Sequence, residues 1–117
     1  MQYKELEPLV IQWAESKGIL EKATPLAQAR KTEEEVHELI EACVAQHGGY
    51  TTFTNSKGKK VNTREELIDS LGDILVTIII QAEMQGLKLE DCLESAYSVI
   101  SKRTGVMRNG QFVKDND

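Results

Sequence analysis

Residues 63–86 read TREELIDSLGDILVTIIIQAEMQG, and the fold turns on this stretch. Leu67, Leu71, Ile74, Leu75, Ile78, Ile79 and Ala82 recur at three- and four-residue steps, which stacks them on one stripe of an α-helix. Val76 and Ile80 add apolar surface on the other side, so the second half of this helix is expected to be buried all round. Thr63 and Glu66 have the spacing of a capping box, in which each side chain satisfies an orphan amide of the first turn, and Gly86 ends the run.

Working outward, Leu6, Leu9, Val10 and Trp13 predict a helix over about residues 2–17, closed by Gly18. After a connection containing Pro25, Leu26, Ala29, Val36, Leu39, Ile40 and Cys43 predict a long helix that Gly48-Gly49 stops. The segment GGYTTFTNSKGKKVNT at 48–63 has no helical period and reads as a flexible loop with room for a short hairpin. Leu89, Cys92, Leu93, Ala96, Val99 and Ile100 predict a last helix to about Lys102. The tail at 103–117, RTGVMRNGQFVKDND, is irregular or hairpin-like, with an Asn-Gly turn signal between short apolar runs. Four helices without a convincing sheet predict an all-α, four-helix antiparallel bundle, residues 1–117 forming one domain. A helix buried on every face of so small a domain further predicts that a second subunit covers part of it, in a homodimer or homotetramer.

Composition narrows the function. Fourteen basic against nineteen acidic residues give a net charge of -5, which repels a nucleic-acid backbone, so no nucleic-acid partner is expected. A phosphorylated small molecule is compatible with that charge only if cations bridge it to the carboxylates. Cys43 and Cys92 lack any CxxC spacing and are read as buried, reduced core thiols. No signal-like core and no membrane-length apolar run occur, so a cytoplasmic protein without a membrane partner is expected.

The acidic residues form two groups. At about 100° per residue, Gln28, Lys31, Glu35 and Glu38 share a sector flanking the apolar stripe of the second helix, while Glu33, Glu34 and Glu41 point elsewhere. On the third helix Glu66, Asp69 and Asp73 lie within about 60° of one another, and Val76, Ile80 and Met84 continue that face. An acidic run alone is commonly a solvated helix face. Two clusters on separate helices, one bordering apolar surface, point instead to neutralising cations, because carboxylates so placed are otherwise costly. Hard divalent cations take several oxygen ligands and keep waters that phosphate can displace, so Mg2+ is expected, with Mn2+ able to replace it.

Glu34-Glu35-Val-His-Glu38 followed by Glu66-Leu-Ile-Asp69 resembles the EExxE and ExxD fingerprint of the MazG-like, all-α nucleoside triphosphate pyrophosphohydrolases. Lys31, three residues ahead of the paired glutamates, and SLGDIL at 70–75, similar to the family's ELGDVL, extend the likeness, which covers Trp13 to about Phe112. The SLGDIL register makes Asp73 the family aspartate and puts Ser70 at its glutamate position, whereas the literal ExxD uses Glu66 and Asp69. Both registers stay open, with the third-helix ligands ranked Asp73, Asp69, Glu66. The resemblance implies that Glu35, Glu38, Asp69 and Asp73 carry catalysis, that these acids and Glu66 hold the metal, and that water attacks the α-phosphorus of a nucleoside triphosphate to release pyrophosphate.

Candidates for the substrate are Lys102, Arg103 and Arg108 for the distal phosphates, Lys31 beside the acids, and Trp13 or Gln28 for the base. The same basic residues suit the C-terminal dipole of the last helix, and Trp13 equally suits packing. Lys57, Lys59 and Lys60 are read as solvent-exposed, in a loop that could serve as a lid. Glu34 and His37 have the Glu-x-x-His spacing of di-iron bundles, but His47 has Val44 three residues earlier, so the required second copy is missing. A non-catalytic helical metal-binding or interaction module is the alternative, and it gives Asp69 and Asp73 no reason to border apolar surface.

Overall fold

A computed structural model describes residues 1–115. The chain divides into two compact units, one running from Met1 to Gly86 and the other starting at Leu87.

In the first unit, α1 spans Tyr3–Ser16, and the Gln2 amide donates to the Glu5 carboxylate at 3.3 Å. Gly18, at φ 76°, takes the left-handed conformation that lets the chain reverse, and a single turn not expected from the sequence, α2 (Ile19–Lys22), follows. Helix α3 covers Pro25–His47; the Thr24 hydroxyl accepts from the Ala27 amide at 3.1 Å, and Pro25 occupies the first turn, where its missing N–H costs nothing.

The loop expected at 48–63 folds as a hairpin of β1 (Thr52–Thr54) and β2 (Lys60–Asn62), with Phe53 opposite Val61. Helix α4 spans Thr63–Met84, capped one residue earlier than the sequence suggested. Asn62 accepts from the Glu65 amide at 3.0 Å, whereas the buried Thr63 hydroxyl donates to the Tyr50 carbonyl at 2.8 Å. Asn62 faces solvent and is free to turn back on the helix; Thr63 is committed to the chain beneath it.

Helices α3 and α4 run antiparallel along each other. Gln81 Nε2 donates to the Pro25 carbonyl at 2.9 Å, and Gln28 Nε2 donates to the Thr77 carbonyl at 3.2 Å. The Thr32 hydroxyl donates to Thr77 Oγ1 at 2.8 Å, which donates onward to the Ile74 carbonyl at 2.7 Å. From Val76 to Ala82 every residue of α4 is buried or half-buried, as its sequence predicted. Its first half differs: Ile68 and Leu71 are each 60% exposed. Among the described residues the buried apolar side chains are Ala14, Ala42, Ala45, Ile79, Ile80 and Ala82, mostly alanine, while the larger Leu9, Ile40, Val44 and Leu71 stay open. Cys43 shares that open stripe of α3, so it is exposed rather than buried as expected.

In the second unit α5 spans Leu89–Ile100 and buries none of its residues, which leaves Cys92 exposed as well, again contrary to expectation. Strands β3 (Gly105–Arg108) and β4 (Gln111–Lys114) pair antiparallel, with Val106 opposite Val113. Asn109 and Gly110 make the connecting turn at φ 50° and 77°, the left-handed pair that Asn-Gly favours. Among the described residues the chain is thus mostly helical, with five helices and two small hairpins, and no helix is long and apolar enough to cross a membrane.

Candidate active site

Glu35 and Glu38 occupy neighbouring turns on the α4-facing side of α3, and Asp73 projects toward them from α4. One carboxylate oxygen from each lies within 4.8 Å of the other two. Glu35 is buried, and among the described residues its Oε2 is the buried side-chain polar atom left without a hydrogen-bond partner. Lys31 Nζ stands 3.5 Å from Glu35 Oε1 and 3.5 Å from Glu34 Oε1, so a half-exposed ammonium is shared between two acids. Lys57, on the hairpin tip, lies 3.2 Å from Glu38 Oε1 and 4.0 Å from Glu34 Oε1.

Electrostatics separate these acids. Burial pushes the Glu35 carboxyl above its ordinary range, and the neighbouring Glu38 carboxyl and the Asp73 charge push the same way. Asp73 is raised by burial, then by Asp69 and Glu38. Glu66 is raised by burial, then by Asp69 and Glu38. Burial also pushes Glu38 up, but the Lys57 ammonium at 3.2 Å and the neighbouring Glu35 outweigh it and hold this carboxyl below its ordinary range. A buried oxygen without a donor, amid acids that resist sharing their charge, fits a hard divalent cation, which supplies charge and takes several oxygen ligands.

The acids border a cleft of about 260 Å³, walled by Trp13, Gln28, Lys31, Glu35, Asp73 and Thr77 with Ile80 in its apolar floor. Trp13 is 49% exposed, and the bond to the Thr77 carbonyl fixes the Gln28 amide. The structure gathers Glu35, Glu38, Asp73, Lys31, Gln28 and Trp13 around this cleft. Glu66 is half-buried on the far side of Glu38 and faces the hairpin, while Asp69 is exposed; neither belongs to the 4.8 Å group. Ser70 is 1% exposed. Lys102 and Arg103 follow α5 and Arg108 ends β3, all within the second unit.

Two contributors escaped the sequence reading. From the sequence Lys57 reads as a solvent-exposed residue of a loop that could serve as a lid, not as a partner of Glu38, and Glu41 as lying off the acidic face. Glu41 accepts from the Ser56 amide at 3.0 Å and so docks the hairpin tip onto α3. No periodicity in the loop could have announced either contact.

The family comparison places the chain in the MazG-like, all-α nucleotide pyrophosphatase superfamily, whose acidic fingerprint the facing carboxylates carry. Within it, the chain belongs to the phosphoribosyl-ATP pyrophosphohydrolase family, which matches residues 12–98. It is similar to the uncharacterized protein YvdC of Bacillus subtilis (strain 168), with 28% identity over 103 residues that cover 88% of this chain and 96% of YvdC. No solved structure matches it.

Proposed function

We propose that the protein hydrolyses nucleoside triphosphates to the monophosphate and pyrophosphate with Mg2+, or Mn2+ in its place. The observation that carries this reading is the three-carboxylate group of Glu35, Glu38 and Asp73, closed within 4.8 Å around a buried oxygen without a donor, in a member of a pyrophosphohydrolase family. These three acids hold the cation, and Asp69 and Glu66 add negative charge beside them. When bound, the cation neutralises phosphate charge and lowers the pKa of water. The oxygen of water bonds to the α-phosphorus, the bond from that phosphorus to the α,β-bridging oxygen breaks with pyrophosphate as leaving group, and a carboxylate of the site takes the water proton. Trp13 offers a stacking face to the base and Gln28 a fixed amide, while Lys31 holds Glu35 in place. Lys102, Arg103 and Arg108 remain the candidates for the distal phosphates.

The uncovered apolar stripes of α3 and α4 support a homodimer or homotetramer, since monomers rarely leave so much apolar surface contiguous and open. The antiparallel four-helix bundle, a single domain and a cytoplasmic location without nucleic-acid or membrane partners belong to the same proposal.

The family match favours a second substrate, phosphoribosyl-ATP, which carries the same triphosphate on a larger base-side group. Pyrophosphate release should be followed from ribo- and deoxyribonucleoside triphosphates and from phosphoribosyl-ATP, with Mg2+ and with chelator, for the wild type and Asp73→Ala. Metal-dependent release lost in the variant supports the enzyme and ranks its substrates. Silence on every substrate leaves a helical binding module.

A further inference from the structure

The β1–β2 hairpin does more than join α3 to α4: it carries an ammonium to the acids. Its tip is built to a fixed shape. Asn55 Oδ1 accepts from the Lys57 and Lys59 amides at 3.0 Å each, the Gly58 amide donates to the Asn55 carbonyl at 2.9 Å, and Gly58 takes φ 81°. Ser56 docks on Glu41, and Lys57 then reaches Glu38 Oε1 at 3.2 Å. Glu38 is one of the three acids placed to hold a cation, so the ammonium and a divalent ion draw on the same carboxylate. A cavity of only about 10 Å³ remains between the tip and Glu38, Glu41 and Glu66, room for roughly one water. A metal on Glu38 meets the Lys57 charge on the same side chain.

Release is easy for the lysine. Its side chain is 67% exposed, so leaving Glu38 exchanges a screened surface contact for water. Its backbone stays seated through Glu41, which keeps the freed ammonium at the mouth of the acidic group. A triphosphate held there brings negative charge to that mouth, and the other ammonium at these acids, Lys31, is already shared by Glu34 and Glu35.

Resting on the pyrophosphohydrolase reading above, we propose that Lys57 is an exchangeable counter-ion, which neutralises Glu38 until a divalent cation takes that carboxylate and then meets the distal phosphates of the nucleotide from the tethered tip. Loading and phosphate capture are thereby coupled through one side chain.

The test is calorimetric titration of the full chain with Mn2+ alone, then with a non-hydrolysable nucleoside triphosphate analogue at saturating Mn2+, for wild type, Lys57→Met, Lys57→Gln and Lys57→Arg. Removing an exposed competitor should tighten Mn2+ binding about twofold to fivefold in the Met and Gln variants. The same variants should bind the analogue more weakly by a similar factor, with Arg restoring it. That opposed pair of signs is one that a purely structural lysine does not produce. Equal or weaker Mn2+ binding without the lysine overturns the exchange, and unchanged analogue affinity overturns the phosphate contact. Mn2+ uptake by none of the four proteins would sink the pyrophosphohydrolase reading together with this one, whereas uptake of equal strength in all four sinks this one alone.

Discussion

Replacing Glu35 with Gln should make the metal-free protein more stable while removing its activity. In the wild type without metal, Glu35 is a buried carboxylate with one oxygen lacking any donor and the other 3.5 Å from a half-exposed lysine. An unsatisfied buried polar group costs about 1–3 kcal/mol, and more when charged. A neutral amide keeps the shape, and its NH2 can donate to Glu38. The lost contact with Lys31 offsets little, since that ammonium is half in solvent and keeps Glu34. The net gain is about 1–2 kcal/mol, which for a chain of this size raises Tm by roughly 3–10 °C. Thermal melts in chelator and at rising Mg2+ check it. In chelator the variant melts higher; as Mg2+ is added the wild type climbs by linkage and the variant stays nearly flat, so the curves approach and cross. A variant that melts below the wild type in chelator would refute the reasoning, because the Glu35 carboxylate would then be better satisfied than its surroundings imply.

The pH profile of the metal-free protein follows from the same acids. Glu35, Asp73 and Glu66 have raised carboxyls, so their stabilising contribution is complete below the ordinary carboxylate pKa and is lost as pH rises through their raised values; Glu38, held low, opposes them and loses its contribution on acidification. Melts in chelator should therefore show stability falling from mildly acidic toward neutral pH, a slope that saturating Mg2+ flattens. Asp73→Asn should lower kcat/KM by at least about a hundredfold and Asp69→Asn by less than about tenfold, as steady-state pyrophosphate release would show, since Asp73 alone of the two joins the glutamates. Thr77→Val removes the hydroxyl that links Thr32 to the Ile74 carbonyl and should cost about 1 kcal/mol, read as a fall in Tm of roughly 3–6 °C.

Helical period alone located α1, α3, α4 and α5, and helical angle alone gathered Gln28, Lys31, Glu35 and Glu38 on one side of α3. These quantities are local to one helix, so they are legible without tertiary information. The short α2 was not, because one turn is too brief to show a period. The cap of α4 lies one residue earlier than the sequence suggests because Asn62 and Thr63 can both accept from the first turn, and only the contact with the Tyr50 carbonyl commits the Thr63 hydroxyl elsewhere. Cys43 and Cys92 were misjudged because an apolar stripe says which residues share a face and not whether the chain itself covers that face. The Ser56–Glu41 and Lys57–Glu38 contacts each span fifteen or more residues through a hairpin turn, a distance over which spacing carries no geometry.

On the inner side of α3, Gln28, Glu35 and Ala42 follow one another at seven-residue steps, and Ala42 is entirely buried. A methyl group there acts as a shim that sets how near α4 can come. Ala42 sits about 10 Å along the helix from Glu35, and a helix pair splayed at one point is splayed at the next turns too. The gap between Glu35 and Asp73, and with it the size of ion they can share, is thus governed in part by a side chain that touches neither the ion nor the cleft. Ion preference in such a protein can drift through a residue that would pass for mere filling.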